Sequence, residues 1–463
     1  MSNATNPLIH LRREWRPTLR LALPAVAAEL GWMAMGAVDT LMVGRLSPEA
    51  IGAVGLGSVL FLVPAVFGVG VLLGLDTLVS QAFGGRRLDE CHRWLYQGVY
   101  LALAMCVPLT AGVLAGIVPA LHGWGINPRV LELTVPYLEV VAWSLPPLLF
   151  YSAFRRYLQA MHRMRAITVA LVTANLVNVA VNWILIFGHF GAPALGVAGA
   201  AWATVFSRVY MALYLLAAIV WGERRQATGA REVSMRPDLL ALRHLFALGL
   251  PAALQLTLEV GVFAAATALA GQLDAGSLAA HQIALNVASI TFMVPMGISS
   301  AGAVRVGNAV GRGDPHGAAW AGWAALALGA GFMAVAALAL VAVPRLIIAA
   351  YTADAAVVAI GARLLRVAAA FQLFDGIQVV STGVMRGLGD TRTPMVCNLV
   401  GHWVIGLPLG YAMCFGAGLG IVGLWIGLSA GLIAVGGVLL ALWARQVGRL
   451  EAEASADGRA NAG

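Results

Sequence analysis

The sequence predicts an all-α polytopic membrane protein, with twelve transmembrane helices in two six-helix lobes related by an internal repeat. Three observations carry that reading. Of 463 residues, 60% are hydrophobic and only 11% are charged, whereas soluble domains carry about 25% charged residues. Apolar runs long enough to cross a bilayer, about 20 residues each, recur along the whole chain. Short strings in the first half return in the second at a nearly fixed offset.

The first run, 18–44, follows MSNATNPLIHLRREWRPTLR and is too long for the apolar region of a cleavable leader, so it is expected to serve as an uncleaved signal. The others lie at 50–76, 94–118, 131–154, 166–188, 196–221, 244–271, 278–303, 318–342, 357–385, 394–414 and 420–444. An even number of spans puts both termini on one side, and the arginines choose that side. With the N-terminus inside, the inner face collects Arg12, Arg13, Arg16, Arg20, Arg86, Arg87, Arg93, Arg155, Arg156, Arg163 and Arg165. The central linker adds Arg224, Arg225, Arg231, Arg236 and Arg243, and later loops add Arg305, Arg312, Arg386 and Arg392. The outer loops hold Arg45, Arg129 and Arg345, with Arg363 ambiguous. That asymmetry is the positive-inside pattern, and it also accounts for a net charge of +8 without nucleic acid as a partner. The expected layout is a cytoplasmic N-terminus (1–17), an N-lobe (18–221), a cytoplasmic linker (222–243), a C-lobe (244–444) and a cytoplasmic tail (445–463).

The repeat is read from paired strings. LALPA at Leu21 answers LGLPA at Leu248, QAFGGR at Gln81 answers NAVGR at Asn308, and GVAGAAWA at Gly196 answers GIVGLWIG at Gly420. These pairs lie 224–227 residues apart by their positions. Such repeats mark secondary transporters, whose sites lie at the repeat interface. The two halves differ in chemistry, because Trp32 and Leu145 stand where the second half has Glu259 and Asp375.

Those two acids are the main site candidates. Glu259 lies in LPAALQLTLEVGVFAAATALAG and Asp375 in RLLRVAAAFQLFDGIQVVSTGVMR, each near the middle of its span. An acid there costs about 2.5–3.5 kcal/mol on insertion scales, so it is kept where it faces a bundle interior or a wet cavity. Desolvation disfavours the ionised form of an acid, and a second acid nearby disfavours it further. A pair of this kind takes up a proton or binds a cation such as Na⁺ in its place. The competing reading is a helix–helix hydrogen bond, for which Gln255, Thr257 and Gln378 are the available partners. Asp39, four residues from the end of the first span, is a third acid. Asn178 and Asn182, at i and i+4 on one helix face, are its expected partners, as a cation or proton site or as static helix glue.

Weaker candidates are weighed against structural roles. Glu29 and Glu139 stay undecided, and Asp76 is expected to pair with Arg86 or Arg87. His281 and His402 read as core residues. Pro24, Pro64, Pro108, Pro146, Pro147, Pro251, Pro295 and Pro408 fall inside spans and are expected to kink them. Phe292, Phe371, Phe374 and Trp403 either line a cavity or face core and lipid. The four cysteines show no metal or disulfide spacing. With no lysine there is no P-loop, and neither HExxH nor GxSxG occurs, so neither ATP drive by this chain nor a membrane-embedded enzyme has support.

From about Arg16 to Trp443 the chain resembles the multidrug and toxic compound extrusion (MATE) family, NorM-like branch. The resemblance is carried by VDTLMVG, DTLVSQAFG, NLVNVAVNWILIFG, GAPALGVAGAAWAT, LEVGVFA, AAHQIALN, VGNAVGRGD, FDGIQVVSTGVMRGLGDTR and GLPLGY in that order. It implies two lobes around a central cavity and export of cationic, lipophilic drugs in exchange for inward H⁺ or Na⁺. The family's acids match Glu259, Asp375 and Asp39, and its asparagines match Asn178 and Asn182. Gln255, Gln282 (in AAHQIALN), Phe371 and Gln378 complete the expected site. Some relatives carry Tyr where this chain has Phe371, which removes one candidate Na⁺ oxygen and tips the coupling ion towards H⁺. A flippase of lipid-linked precursors shares the superfamily architecture, but the acidic centre disfavours pyrophosphate. The protein is expected in the bacterial inner membrane, as a monomer without a cofactor.

Overall fold

The computed structural model describes residues 7–123, 125–226, 229 and 232–460, with side chains from Glu14 to Ala452. The side chains of Arg12, Arg13, Gln226 and Arg231, the linker residues 227, 228 and 230 and the end of the tail lie outside that description. Among the described residues every regular element is helical. The spans are α1 (Pro7–Val43), α2 (Pro48–Gly84), α3 (Leu88–Gly123), α4 (Pro128–Ala142 with Leu145–Ala160), α5 (Met164–Phe187) and α6 (Val197–Gln226). They continue as α7 (Leu239–Ala270), α8 (Ala275–Gly311), α9 (Pro315–Ala342), α10 (Ala355–Leu388), α11 (Arg392–Gly416) and α12 (Gly420–Ala460). Eleven are long and apolar enough to span a bilayer singly, and the two halves of α4, bent by 45°, make the twelfth.

Proline explains the bend. Pro146 and Pro147 lack the N–H groups that would reach the carbonyls of Ala142 and Trp143, so the α-helical ladder fails there. Tighter i→i+3 bonds replace it, from Trp143 N to Val140 O (3.1 Å) and from Ser144 N to Val141 O (2.9 Å). Near Pro108 the helix α3 widens into a π-turn over Gly112–Ile117, and α11 does so on both sides of Pro408, over Leu399–Gly406 and Ala412–Gly416. Pro24, Pro64, Pro251 and Pro295 are held inside continuous helices.

The chain forms two compact units, one of Ala27–Ala253 and one of Met1–Val26 with Leu254–Gly463. In the first, the end of the linker is strapped to α3. Gln97 donates to Arg236 O (3.1 Å) and accepts from Asp238 N (3.0 Å), Tyr100 donates to Met235 O (2.6 Å), and Arg93 pairs with Asp238. Asp238 also accepts from the N–H groups of Leu240 and Ala241, capping α7. The same unit corrects two expectations. Arg155 and Arg156 lie inside α4 and are buried, not in a loop, because each has an acid to neutralise it. Arg155 pairs with Glu29, and Arg156 lies 3.3 Å from the Asp76 carboxylate. Asp76 is thus met by an arginine from another helix, while Arg87, its expected partner, bonds Glu90 at 2.9 Å.

In the second unit, α10 is the most enclosed helix, packed by α8, α9 and α12. Helix α12 meets α11 through glycine. A Cβ at Gly427 would lie 2.1 Å from Gly410 N, and one at Gly431 would lie 2.5 Å from Gly401 O. Lipid gives helices little hydrophobic reason to associate, so close backbone contact supplies the attraction through packing.

Candidate functional site

In the second unit α7, α10 and α11 bring polar groups to one place. Gln378, one turn beyond Asp375 on α10, is fully buried and lies near the half-buried Glu259 of α7. It also donates to Asn398 Oδ1 at 2.7 Å, and His402 Nε2 contacts the same oxygen at 3.1 Å. Asn398 in turn gives its N–H to Pro394 O at 2.8 Å, which fixes its amide orientation and makes Oδ1 an acceptor. His402 therefore donates from Nε2. Trp403, beside it, donates to Leu258 O (3.0 Å) and packs its ring over Gly261, tying α11 to α7 next to Glu259.

Asp375 is buried at 8% exposure and receives no hydrogen bond among the described residues. The charged group acting on it is Glu259. Each acid thus feels the other's charge, and no basic group among the described residues acts on either. Gln255 is buried nearby in sequence, one turn before Glu259, whereas Gln282 is exposed. Phe371 sits in the apolar core, 6.1 Å from the Trp425 ring. His281 is a satisfied core residue, because the Trp425 indole donates to its Nδ1 (3.0 Å) and its Nε2 meets Thr267 (2.9 Å).

In the first unit the expected trio is assembled. Asp39 Oδ1 accepts from Asn178 (3.0 Å) and Asn182 (2.6 Å), and Asn182 also donates to Asn178 Oδ1 (3.1 Å). Sequence reading missed two members of this group on α6. Thr204 donates to Asp39 Oδ2 at 2.9 Å, with Ala200 O as an alternative acceptor at 3.2 Å. One hydroxyl hydrogen cannot serve both, so a proton placed on Oδ2 would turn it towards Ala200. Arg208, one turn further on, is the other missed residue. Its signal was legible, as a lone arginine in the middle of an apolar run. Thr204 left no such trace, since threonine is common in spans.

An all-helical protein of twelve spans, with acids gathered inside those spans, defines a polytopic transporter architecture. The family model described as MatE matches this chain twice, over residues 24–184 and 251–412. The chain is 38% identical over 442 residues to the probable multidrug resistance protein NorM of Mesorhizobium japonicum, covering 94% of each. It is also 38% identical over 464 residues to the probable NorM of Burkholderia mallei, covering 99% of this chain and 98% of the relative. Among solved structures, the eukaryotic MATE transporter AtDTX14 superposes with a TM-score of 0.86 at 21% identity, covering 96% of this chain and 99% of its own. An outward-facing multidrug resistance MATE transporter of the MOP superfamily gives 0.85 at 19% identity, covering 97% and 100%. These structures share its fold. The chain belongs to the MatE family, and the double match is the internal repeat.

Proposed function

We propose that this protein is a secondary active multidrug efflux antiporter. It exports cationic, lipophilic drugs by alternating access, in exchange for an inward cation. The observation that supports this is the pairing of Glu259 with Asp375, without a basic partner, inside membrane spans. Two neighbouring carboxylates in a low-dielectric setting demand a positive charge. A coupling ion and a cationic drug are two candidates for the same charge, and their competition is antiport.

The coupling ion in this reading is H⁺, with Na⁺ as the alternative. Phe371 lies in the apolar core and contributes no oxygen, so the set of hard ligands that would replace water around Na⁺ is one shorter. Inward movement of either ion gains about 2.3 kcal/mol per charge per 100 mV, so energetics do not decide. The protein works as a single chain in the bacterial inner membrane with both termini cytoplasmic, and it needs no cofactor. The test is drug efflux from proteoliposomes with Na⁺ absent and a proton gradient imposed. Efflux under those conditions supports H⁺ coupling. Efflux that runs only with Na⁺ and survives collapse of ΔpH reverses the ion assignment, and no gradient-driven efflux with either ion overturns the antiport reading. Reporter fusions in the linker and at the C-terminus test the topology, and a periplasmic signal at either position refutes it.

A further inference from the structure

We propose that Arg208 is a specificity-determining residue that keeps Na⁺ out of the oxygen cluster around Asp39. The argument begins with charge. A guanidinium stays ionised at every working pH, and within a span it is costly unless compensated. Arg208 lies midway along α6 and is buried at 8% exposure. Its compensation is indirect. One N–H reaches Ser144 Oγ at the break in α4, and its guanidinium lies 5.2 Å from the Trp32 ring and 4.7 Å from the Phe61 ring. Both distances are cation–π contacts. Its Nε is buried without a partner.

The groups that act on it electrostatically are Asp39 and Tyr137, and the Tyr137 hydroxyl is engaged with Ser58 at 3.1 Å. Glu29, half-buried, and Asp76, buried, already face Arg155 and Arg156. Asp39 is therefore the carboxylate left to balance Arg208.

Asp39, Asn178, Asn182 and Thr204 bring together the oxygens that a small cation would use, and Asn182 Oδ1 is buried without a donor. Those oxygens alone would suit Na⁺. The fixed positive charge one turn beyond Thr204 opposes it, because at a protein's effective dielectric a nearby unit charge weakens cation binding on the order of tenfold or more. Arg208 is anchored by two rings and a hydroxyl, so its charge stays beside the cluster. At Asp375 in the second unit, the charge acting among the described residues is another acid. A metal cation exchanged by this chain is thereby directed to Glu259 and Asp375. This inference rests on the antiport reading only in supposing that a coupling cation enters the protein.

The experiment measures ²²Na⁺ binding to the purified full-length protein at constant ionic strength. It compares wild type, Arg208→Gln and Arg208→Lys, each with and without Asp39→Asn. In wild type and Arg208→Lys, Asp39→Asn should leave Na⁺ binding unchanged. Arg208→Gln should gain a Na⁺ component, tighter by about tenfold or more, that Asp39→Asn removes. Loss of Na⁺ binding on Asp39→Asn in the wild-type background overturns the proposal, as does an Arg208→Gln protein with no Asp39-dependent gain. If Arg208→Gln does not fold, the wild-type comparison with Asp39→Asn decides alone. Drug efflux by the wild-type protein, measured in parallel, separates failure of this inference from failure of the antiport reading.

Discussion

Neutralising Glu259 should make the protein more stable and inactive at once. In Glu259→Gln the new amide keeps an oxygen that Gln378 can meet and preserves the side-chain volume, so no cavity forms. What disappears is a half-buried charge acting on Asp375, on which no arginine among the described residues acts. Two unit charges repel by up to about 4 kcal/mol at close range and an effective dielectric of about 20, and by less as they separate. Part of that is already relieved whenever one acid holds a proton, leaving a net gain of about 1–2 kcal/mol. For a domain the size of one unit, this corresponds to a rise in Tm of roughly 2–8 °C. The assay pairs a thermal melt in detergent with drug efflux from proteoliposomes, and Asp375→Asn is the companion variant. A residue kept only as helix glue would behave oppositely, losing stability while sparing transport. Full-rate efflux by Glu259→Gln, or a fall in its Tm, would refute the reasoning.

Three further outcomes follow from particular contacts. Gly427→Ala places a Cβ 2.1 Å from Gly410 N and 2.2 Å from Gly410 Cα, which should cost about 1–3 kcal/mol by overpacking. Gly437→Ala meets nothing within 4 Å and should gain up to about 1 kcal/mol from helix propensity; equal melting points for the two would contradict the glycine interface. Trp403→Phe loses the bond to Leu258 O while keeping most of the ring over Gly261. It should cost about 1 kcal/mol and reduce gradient-driven efflux severalfold, and wild-type coupling would disconnect α11 from the site. Asp238 has its carboxyl held below the usual range, chiefly by the Ala241 N–H and then by Arg93. Its contribution to the linker strap is therefore present above the ordinary carboxylate value near pH 3.9 and fades as pH falls through the lower folded value. Asp238→Asn should accelerate proteolysis in the linker at neutral pH, and an unaltered rate would remove Asp238 from the strap.

The spans, their number and the repeat were legible in the sequence because lipid imposes a one-dimensional rule. A segment that crosses must be apolar for about 20 residues, and that can be counted without knowing its neighbours. The mid-span acids were legible for the same reason, since a charge inside such a run stands out wherever it packs. Asp39 with Asn178 and Asn182 was within reach because i, i+4 spacing puts both amides on one face.

Only tertiary structure decided the partners. Asp76 lies ten residues from Arg86 but meets Arg156, since helix α2 turns its sequence neighbours away and α4 presents an arginine instead. Thr204 and Arg208 join Asp39 across more than 160 positions of chain, a distance over which spacing carries no information. Phe371, one turn from Asp375, points into the core against Trp425, because four residues of helix fix a face but not what that face meets. Asn398 and His402 gave no sign that they would orient Gln378. The bilayer writes the spans into composition, whereas the contacts between spans exist only once the helices have packed.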